Sequence, residues 1–446
     1  MRNHQYHADL LISDGRVHTP SGKQEMDIAC KNGQIVAIGS LKNSWSADDV
    51  IQASGLDVLP GVMDTQLHFR EPGLTHKETI EAGTRGAVLG GITSVFEMPN
   101  THPLTVSETD LQQKLDIAKR TAWCDHAFYI GGSNINATQL ANLETLPGCS
   151  GIKVFMGSSF GDLLVDDETI LKHILSTGNR RVAIHAEDEA RLRSRKHLVE
   201  SSQQVKDHPM WRDVESALIA TKRVVTLAQQ YNRKLHVLHI STAEEIAFLA
   251  QHKSHVSVEV TPQHLTLMAP DCYDTLGTLA QMNPPIREQR HQQALWEAIN
   301  NGIVDVIGSD HAPHTLDEKA QPYPNSPSGM TGVQTLLPIM LDHVHNQRLS
   351  IERLIDLTSS GPVRLFNIRN KGRIAVGYDA DFSIVDLKAK RTIRNEWIAS
   401  VSGWTPYDGR EVTGWPIHTI VRGNIKVRDE ALSSFIANAQ AIQFSL

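Results

Sequence analysis

No apolar run in this 446-residue chain approaches the roughly 20 residues needed to cross a bilayer. The first seven residues, Met-Arg-Asn-His-Gln-Tyr-His, lack the apolar core of a secretory signal. Positive charge is not in excess. Lys and Arg number 43 against 50 Asp and Glu, a formal charge of -7 that gives no pull toward nucleic acid or anionic membrane. Cysteine is scarce and scattered, at Cys30, Cys124, Cys149 and Cys272 with no CxxC pair, which suits free thiols in a reducing compartment. There is no glycine-rich phosphate loop of the kind a dinucleotide-binding sheet carries. These absences leave a soluble globular protein, expected in the cytoplasm, with no nucleic-acid or membrane role.

Histidine is plentiful, with 22 copies, and many stand at the ends of strand-like runs. The two ends of the chain read as short strands with turns at Asp14-Gly15, Asn32-Gly33 and Arg422-Gly423-Asn424. Residues 1–58 and 371–446 are therefore expected to form one composite β-sandwich. Between them, residues 59–370 alternate short apolar runs with helical stretches, the βα rhythm of a parallel sheet. Eight candidate strands are Leu56–Asp64, Thr93–Met98, Ala127–Ile130, Gly151–Phe155, Arg181–Ile184, Lys234–Leu238, Val256–Val260 and Val304–Ile307. Capping boxes are read at Thr75 with Glu78, Thr105 with Glu108, and Ser241 with Glu244. Eight such units in about 310 residues predict an α/β fold, a (β/α)8 TIM barrel.

In such a barrel the chemistry sits where strands end. The first strand runs into Gln66-Leu-His68-Phe-Arg70, the second into Met98-Pro-Asn100, and the fourth carries Lys153. The fifth ends in His185, the sixth in His239, and the eighth in Asp310, followed by His311 and His314. One histidine after a strand is usually a hydrogen-bonded structural residue; histidine, lysine and aspartate recurring at five strand ends are hard to obtain by accident. Imidazoles and a carboxylate are what zinc takes at catalytic sites, where bound water loses a proton near neutrality and becomes a nucleophile fit for an amide. A lysine ammonium beside cations is disfavoured, but a neutral amine can add carbon dioxide and become an anionic carbamate. His264 is expected to be structural or supporting, and His236 to point away from the metal. The densest basic run, Arg191, Arg193, Arg195 and Lys196, follows the acidic trio Glu187, Asp188 and Glu189 and reads as a solvated helix face.

The run Leu59-Pro-Gly-Val-Met-Asp-Thr-Gln-Leu-His-Phe-Arg-Glu-Pro-Gly73 resembles the signature of dihydroorotases in the amidohydrolase superfamily. So do Glu97-Met-Pro-Asn100, Asn283-Pro-Pro-Ile-Arg287, Gly308-Ser-Asp-His-Ala-Pro-His314 and Lys371-Gly-Arg-Ile-Ala-Val-Gly-Tyr-Asp-Ala-Asp381. The resemblance spans essentially the whole chain. It implies reversible cyclisation of N-carbamoyl-L-aspartate to L-dihydroorotate in pyrimidine synthesis. It also implies one metal held by His68, carbamylated Lys153 and Asp310, and a second held by Lys153, His185 and His239. Asp310 would shuttle the proton, Arg70, Asn100 and His314 would hold the substrate carboxylate, and Asn283 would orient the ring. A homodimer is expected, with aspartate carbamoyltransferase as a candidate partner. Gln66 departs from the family's His-x-His, so the first metal is expected to be the weaker of one or two zinc ions. The competing readings are a hydantoinase, dihydropyrimidinase or allantoinase, and a non-catalytic subunit. The segment from His314 to Met330 reads as a loop able to close over substrate.

Overall fold

The computed structural model describes residues 6–157 and 161–445. The strands of the N-terminal end are β1 (Tyr6–Thr19), β2 (Gly22–Lys31), β3 (Gln34–Gly39), β4 (Trp45–Gln52) and β5 (Asp57–Pro60). The middle contributes β6 (Val62–Leu67), β7 (Ile92–Glu97), β8 (Asp125–Gly131), β9 (Cys149–Phe155), β10 (Val182–His185), β11 (Leu235–Val237), β12 (Val256–Val260) and β13 (Val306–Ile307). The C-terminal end adds β14 (Phe382–Thr392), β15 (Glu411–Val421), β16 (Asn424–Arg428) and β17 (Ala431–Leu432).

Strands β6 to β13 pair in sequence order, all parallel, and the two edges meet where His68 N–H donates to His311 O at 2.7 Å. This is a TIM barrel. The remaining strands form a separate sheet from the two ends, in the order β17-β16-β15-β14-β5-β1-β2-β3 with β4 beside β1. The ends are joined where β5 lies between β1 and β14. Leu10, Ile12, Val58, Phe382, Ile384 and Ile420, drawn from both ends, share one buried cluster. Among the described residues, no helix is long and apolar enough to cross a membrane.

Three local readings of the sequence change. The run Leu56–Asp64 is two strands, not one: it breaks at Gly61, with β5 in the terminal sheet and β6 in the barrel. A Cβ at Gly61 would lie 2.3 Å from Thr93 Oγ1 and 2.8 Å from Asp381 Cβ, so the crossing needs a residue without one. Asp14-Gly15 is a bulge inside β1 rather than a hairpin turn, whereas Asn32-Gly33, both at positive φ, does connect β2 to β3. The helix caps fall later than expected, at Thr79, Ser107 and Thr242. Glu78, expected in a cap, is instead buried against His311, 3.1 Å from its Nε2.

Barrel and sheet are pinned by charge as well as by apolar packing. Asp125, Asp379 and Asp381 bring carboxylate oxygens within 4.8 Å of one another. The spacing could suit a cation, but Lys371 Nζ already sits among them at 2.6, 3.0 and 2.5 Å, and Arg422 approaches Asp125 at 2.9 Å. A cavity of about 500 Å³ lined by His18, Lys23 and Arg364 contains none of the candidate site residues.

Candidate active site

The nine candidate site residues line one cavity of about 330 Å³ at the C-terminal mouth of the barrel, whereas His311, which also follows the eighth strand, meets Glu78 instead. His68, Arg70, Asn100, Lys153, His185, His239, Asn283, Asp310 and His314 are all on its wall, together with Gln66 and Lys77. Three of them leave their strands in the left-handed region: Arg70 at φ 62, His239 at φ 38 and Asp310 at φ 44. Each such non-glycine residue costs about 1–3 kcal/mol, which the surrounding packing must offset, and such strain concentrates at functional sites. Here it turns the three side chains inward.

The floor of the cavity offers a nitrogen-rich donor set. His185 Nδ1 and His239 Nε2 face each other at 3.0 Å. Two nitrogens bound to one tetrahedral zinc at 2.0–2.1 Å would stand about 3.3 Å apart, so the pair is close to ligand spacing. Burial is the main reason the pKa of each is lowered, and for His239 the charges of His185 and Lys153 push the same way. Neutral imidazole is the form that binds metal. Lys153 is buried and its pKa falls to about 7, again chiefly through desolvation, so the free amine is accessible near neutrality. Its Nζ stands 4.4 Å from the centre of the Phe155 ring. Across the cavity, His68 Nε2 and Gln66 Nε2 both approach Asp310 Oδ1, at 3.2 and 3.1 Å. Among the described residues, Gln66 Oε1 is buried with no hydrogen-bond partner, a polar oxygen that a cation would satisfy. These residues could therefore hold a metal ion, most readily at Lys153, His185 and His239.

The other wall presents a guanidinium and side-chain amides. Arg70 donates through Nε to Pro313 O at 3.2 Å, and its Nη2 lies 3.3 Å from His314 Nε2. Asn100 gives its amide oxygen to His68 Nδ1 at 2.5 Å, which leaves the amide NH2 as its outward donor. Asn283 Oδ1 is fixed by His208 Nε2 at 2.9 Å, and His208 Nδ1 meets Tyr323 OH at 2.9 Å. His264 contacts Thr261 Oγ1 at 2.8 Å and Pro284 O at 3.1 Å, a supporting role for the Asn283 segment. His236 turns into the barrel interior, onto Ser257 and Glu259.

Sequence reasoning gave Glu187 no role. It is fully buried, and its Oε2 accepts from His185 Nε2 at 2.8 Å while pairing with Arg212. The only signal was its position two residues after His185, which local charge pattern could not separate from the acids beside it. Lys77 and His208 were also missed. The segment His314–Met330 packs as a wall of the cavity through Pro327, Ser328 and Gly329. Lys319 holds that wall from behind, donating to the carbonyls of Gln281, Pro327 and Gly329 at 3.1, 2.9 and 3.0 Å.

The chain is 33% identical over 440 residues to a dihydroorotase of Methanosarcina mazei, covering 96% of each protein. It is 32% identical over 443 residues to an allantoinase of Salmonella gallinarum, covering 94% of each. Its fold matches the L-hydantoinase (dihydropyrimidinase) of Arthrobacter aurescens with a TM-score of 0.92 and 28% identity, over 98% of this chain and 99% of that one. With the amidohydrolase family model matching residues 58–426, the chain belongs to the amidohydrolase family and is a hydrolase of cyclic amides.

Proposed function

We propose that this hydrolase is a dihydroorotase, interconverting L-dihydroorotate and N-carbamoyl-L-aspartate in pyrimidine biosynthesis. The observation that carries the reading is Arg70, whose guanidinium enters the same cavity as the histidine, lysine and aspartate cluster. Its pKa is lowered to about 10 by burial, with Asp310 and Glu97 opposing the fall, so it stays charged at neutral pH. A buried charge is costly unless it meets a partner, and a ring substrate bearing a carboxylate supplies one. A neutral hydantoin or dihydrouracil ring does not.

Zinc is the proposed metal, held by His185, His239 and Lys153 as its carbamate, with His68, Lys153 and Asp310 as a weaker second set. When bound, the metal would activate water and polarise the ring carbonyl. Within the chain, Arg70, Asn100 and His314 bind the exocyclic carboxylate and Asn283 orients the ring. Asp310 takes the proton of the attacking water and delivers it to the ring nitrogen as the C–N bond breaks, and cyclisation runs the same transfers backwards.

The likeness to the Arthrobacter hydantoinase favours a second reading, a hydrolase of neutral rings. The two separate in one assay. Protein supplied with zinc and bicarbonate is given L-dihydroorotate, 5,6-dihydrouracil, hydantoin and allantoin in parallel. Dihydroorotate is expected to give the highest kcat/KM; a clear preference for any of the neutral rings overturns the dihydroorotase reading.

A further inference from the structure

The anion-binding wall contains a second cation. After Arg70 the chain doubles back: Leu74 N–H donates to Arg70 O at 3.0 Å and Lys77 N–H to Leu74 O at 3.0 Å. Gly73 permits the turn, since a Cβ there would meet His102 O at 1.9 Å. Lys77 is thereby carried onto the cavity wall, its side chain only 11% exposed. Its Nζ lies 2.9 Å from Glu318 Oε1 and 3.1 Å from His314 Nδ1.

The tautomer of His314 follows from its neighbours. Nε2 lies 3.1 Å from Ser328 O, which can only accept, so Nε2 carries the proton. Nδ1 then presents a lone pair, and Lys77 donates to it. Burial, with the charges of Arg70 and Lys77 next in weight, keeps this imidazole neutral. Arg70 Nη2 therefore faces an N–H, not an acceptor, and retains its donors for a group entering the cavity, where a carboxylate would compete with Ser328 O for the same His314 N–H. Lys77 has three N–H donors, two of them directed to Glu318 and His314.

We propose that Lys77 is a specificity-determining residue that joins Arg70 in a two-cation clamp on a ring-borne carboxylate. Glu318 offsets one of the two positive charges, so the clamp carries a net charge of one toward one carboxylate, and a ring without that group leaves that net charge uncompensated. This rests on the dihydroorotase reading for the identity of the ligand.

The test uses two substrates with the same six-membered ring, L-dihydroorotate with the carboxylate and 5,6-dihydrouracil without it. Lys77→Met is expected to raise KM for L-dihydroorotate about tenfold with little change in kcat, the loss of one charge-assisted hydrogen bond. KM for dihydrouracil should not rise, and Lys77→Arg should recover most of the loss. Equal rises for both substrates, or no rise for either, overturn the proposal. Calorimetry of L-dihydroorotate binding separates the two readings. Binding that depends on Lys77 without turnover removes the dihydroorotase reading and keeps the clamp. Equal binding to wild type and Lys77→Met, or binding to neither, removes the clamp.

Discussion

Gln66 Nε2 donates to Asp310 Oδ1 at 3.1 Å, so the amide that replaces a family histidine is turned with its nitrogen toward a carboxylate and its oxygen without a partner among the described residues. A metal at His68 and Asp310 would have to compete with that hydrogen bond and accept a weaker oxygen donor in place of imidazole. We expect chelator titration followed by elemental analysis to release zinc in two phases, one ion held far more loosely than the other. Gln66→His should tighten the loose ion at least tenfold. Identical release curves for wild type and Gln66→His would falsify the assignment.

His185 owes its orientation to Glu187. The carboxylate fixes Nε2 as the protonated nitrogen and presents Nδ1 to the cavity, and partners of this kind are worth 10–100-fold in metal affinity. Burial alone would raise the Glu187 carboxyl, but Arg212 and His185 outweigh it and bring it to about 2, so it is ionised throughout the working range. Glu187→Gln keeps the volume and removes the charge. We expect zinc affinity, read by competition with a chromogenic chelator, to fall by about 10–100-fold. An unchanged affinity would show that His185 is held by packing alone.

Much of this site could be read from the sequence because barrel geometry converts position along the chain into position in space. His68, Lys153, His185, His239 and Asp310 are separated by tens of residues, yet four of them end or follow a strand and Lys153 lies two residues before the end of β9, and parallel strands deliver their ends to one mouth. What escaped was information carried across the barrel rather than along it. Arg212 stands 25 residues after Glu187, and nothing local says that the two charges bury each other. Lys77 follows no strand directly, and its place on the cavity wall depends on the turn that Arg70 begins. The break at Gly61 was hidden because β5 and β6 are both fully buried, and continuous burial erases the alternation that marks a strand's partner sheet.

Acid should weaken the helical layer through Asp213. This residue caps the helix Val214–Gln230 by accepting from Ser216 N at 3.0 Å, and it pairs with Arg191 at 2.5 Å. Partial burial acts to raise its pKa, but the hydrogen bonds from Arg191 and Ser216 prevail and lower it to about 2. A carboxyl lowered on folding contributes stability that is complete above its ordinary value, near 3.8, and is lost as pH falls toward about 2. Asp213→Asn retains a capping side chain and removes the charge. The urea midpoint of the variant should lie below wild type at pH 6, and the gap should narrow at pH 3. A gap of equal size at both pH values would assign the effect to shape and not to charge.

Lys319 decides whether the Pro327–Gly329 wall stays in place. Its ammonium is buried, serves three backbone carbonyls, and stands 5.8 Å from the centre of the Trp404 ring. Trp404 in turn donates to His314 O at 2.7 Å, so the same anchor reaches the proposed carboxylate-binding histidine. Lys319→Met fits the volume and leaves the carbonyls of Pro327 and Gly329 without a donor, while Gln281 O keeps the Gly329 N–H, at about 1–3 kcal/mol for each orphaned carbonyl that water cannot reach. The segment is expected to open locally before the barrel yields, because its remaining ties run to other loop residues and not to a barrel strand: to Gln281 from Ser326, Ser328 and Gly329, from His314 Nε2 to Ser328 O at 3.1 Å, and from Ala312 N–H to Met330 O at 2.7 Å. Hydrogen exchange should therefore quicken across 326–330 while β6 to β13 keep their protection, and KM should rise more than kcat falls. Uniform loss of protection across the barrel would instead make Lys319 a general stabiliser with no particular hold on the wall.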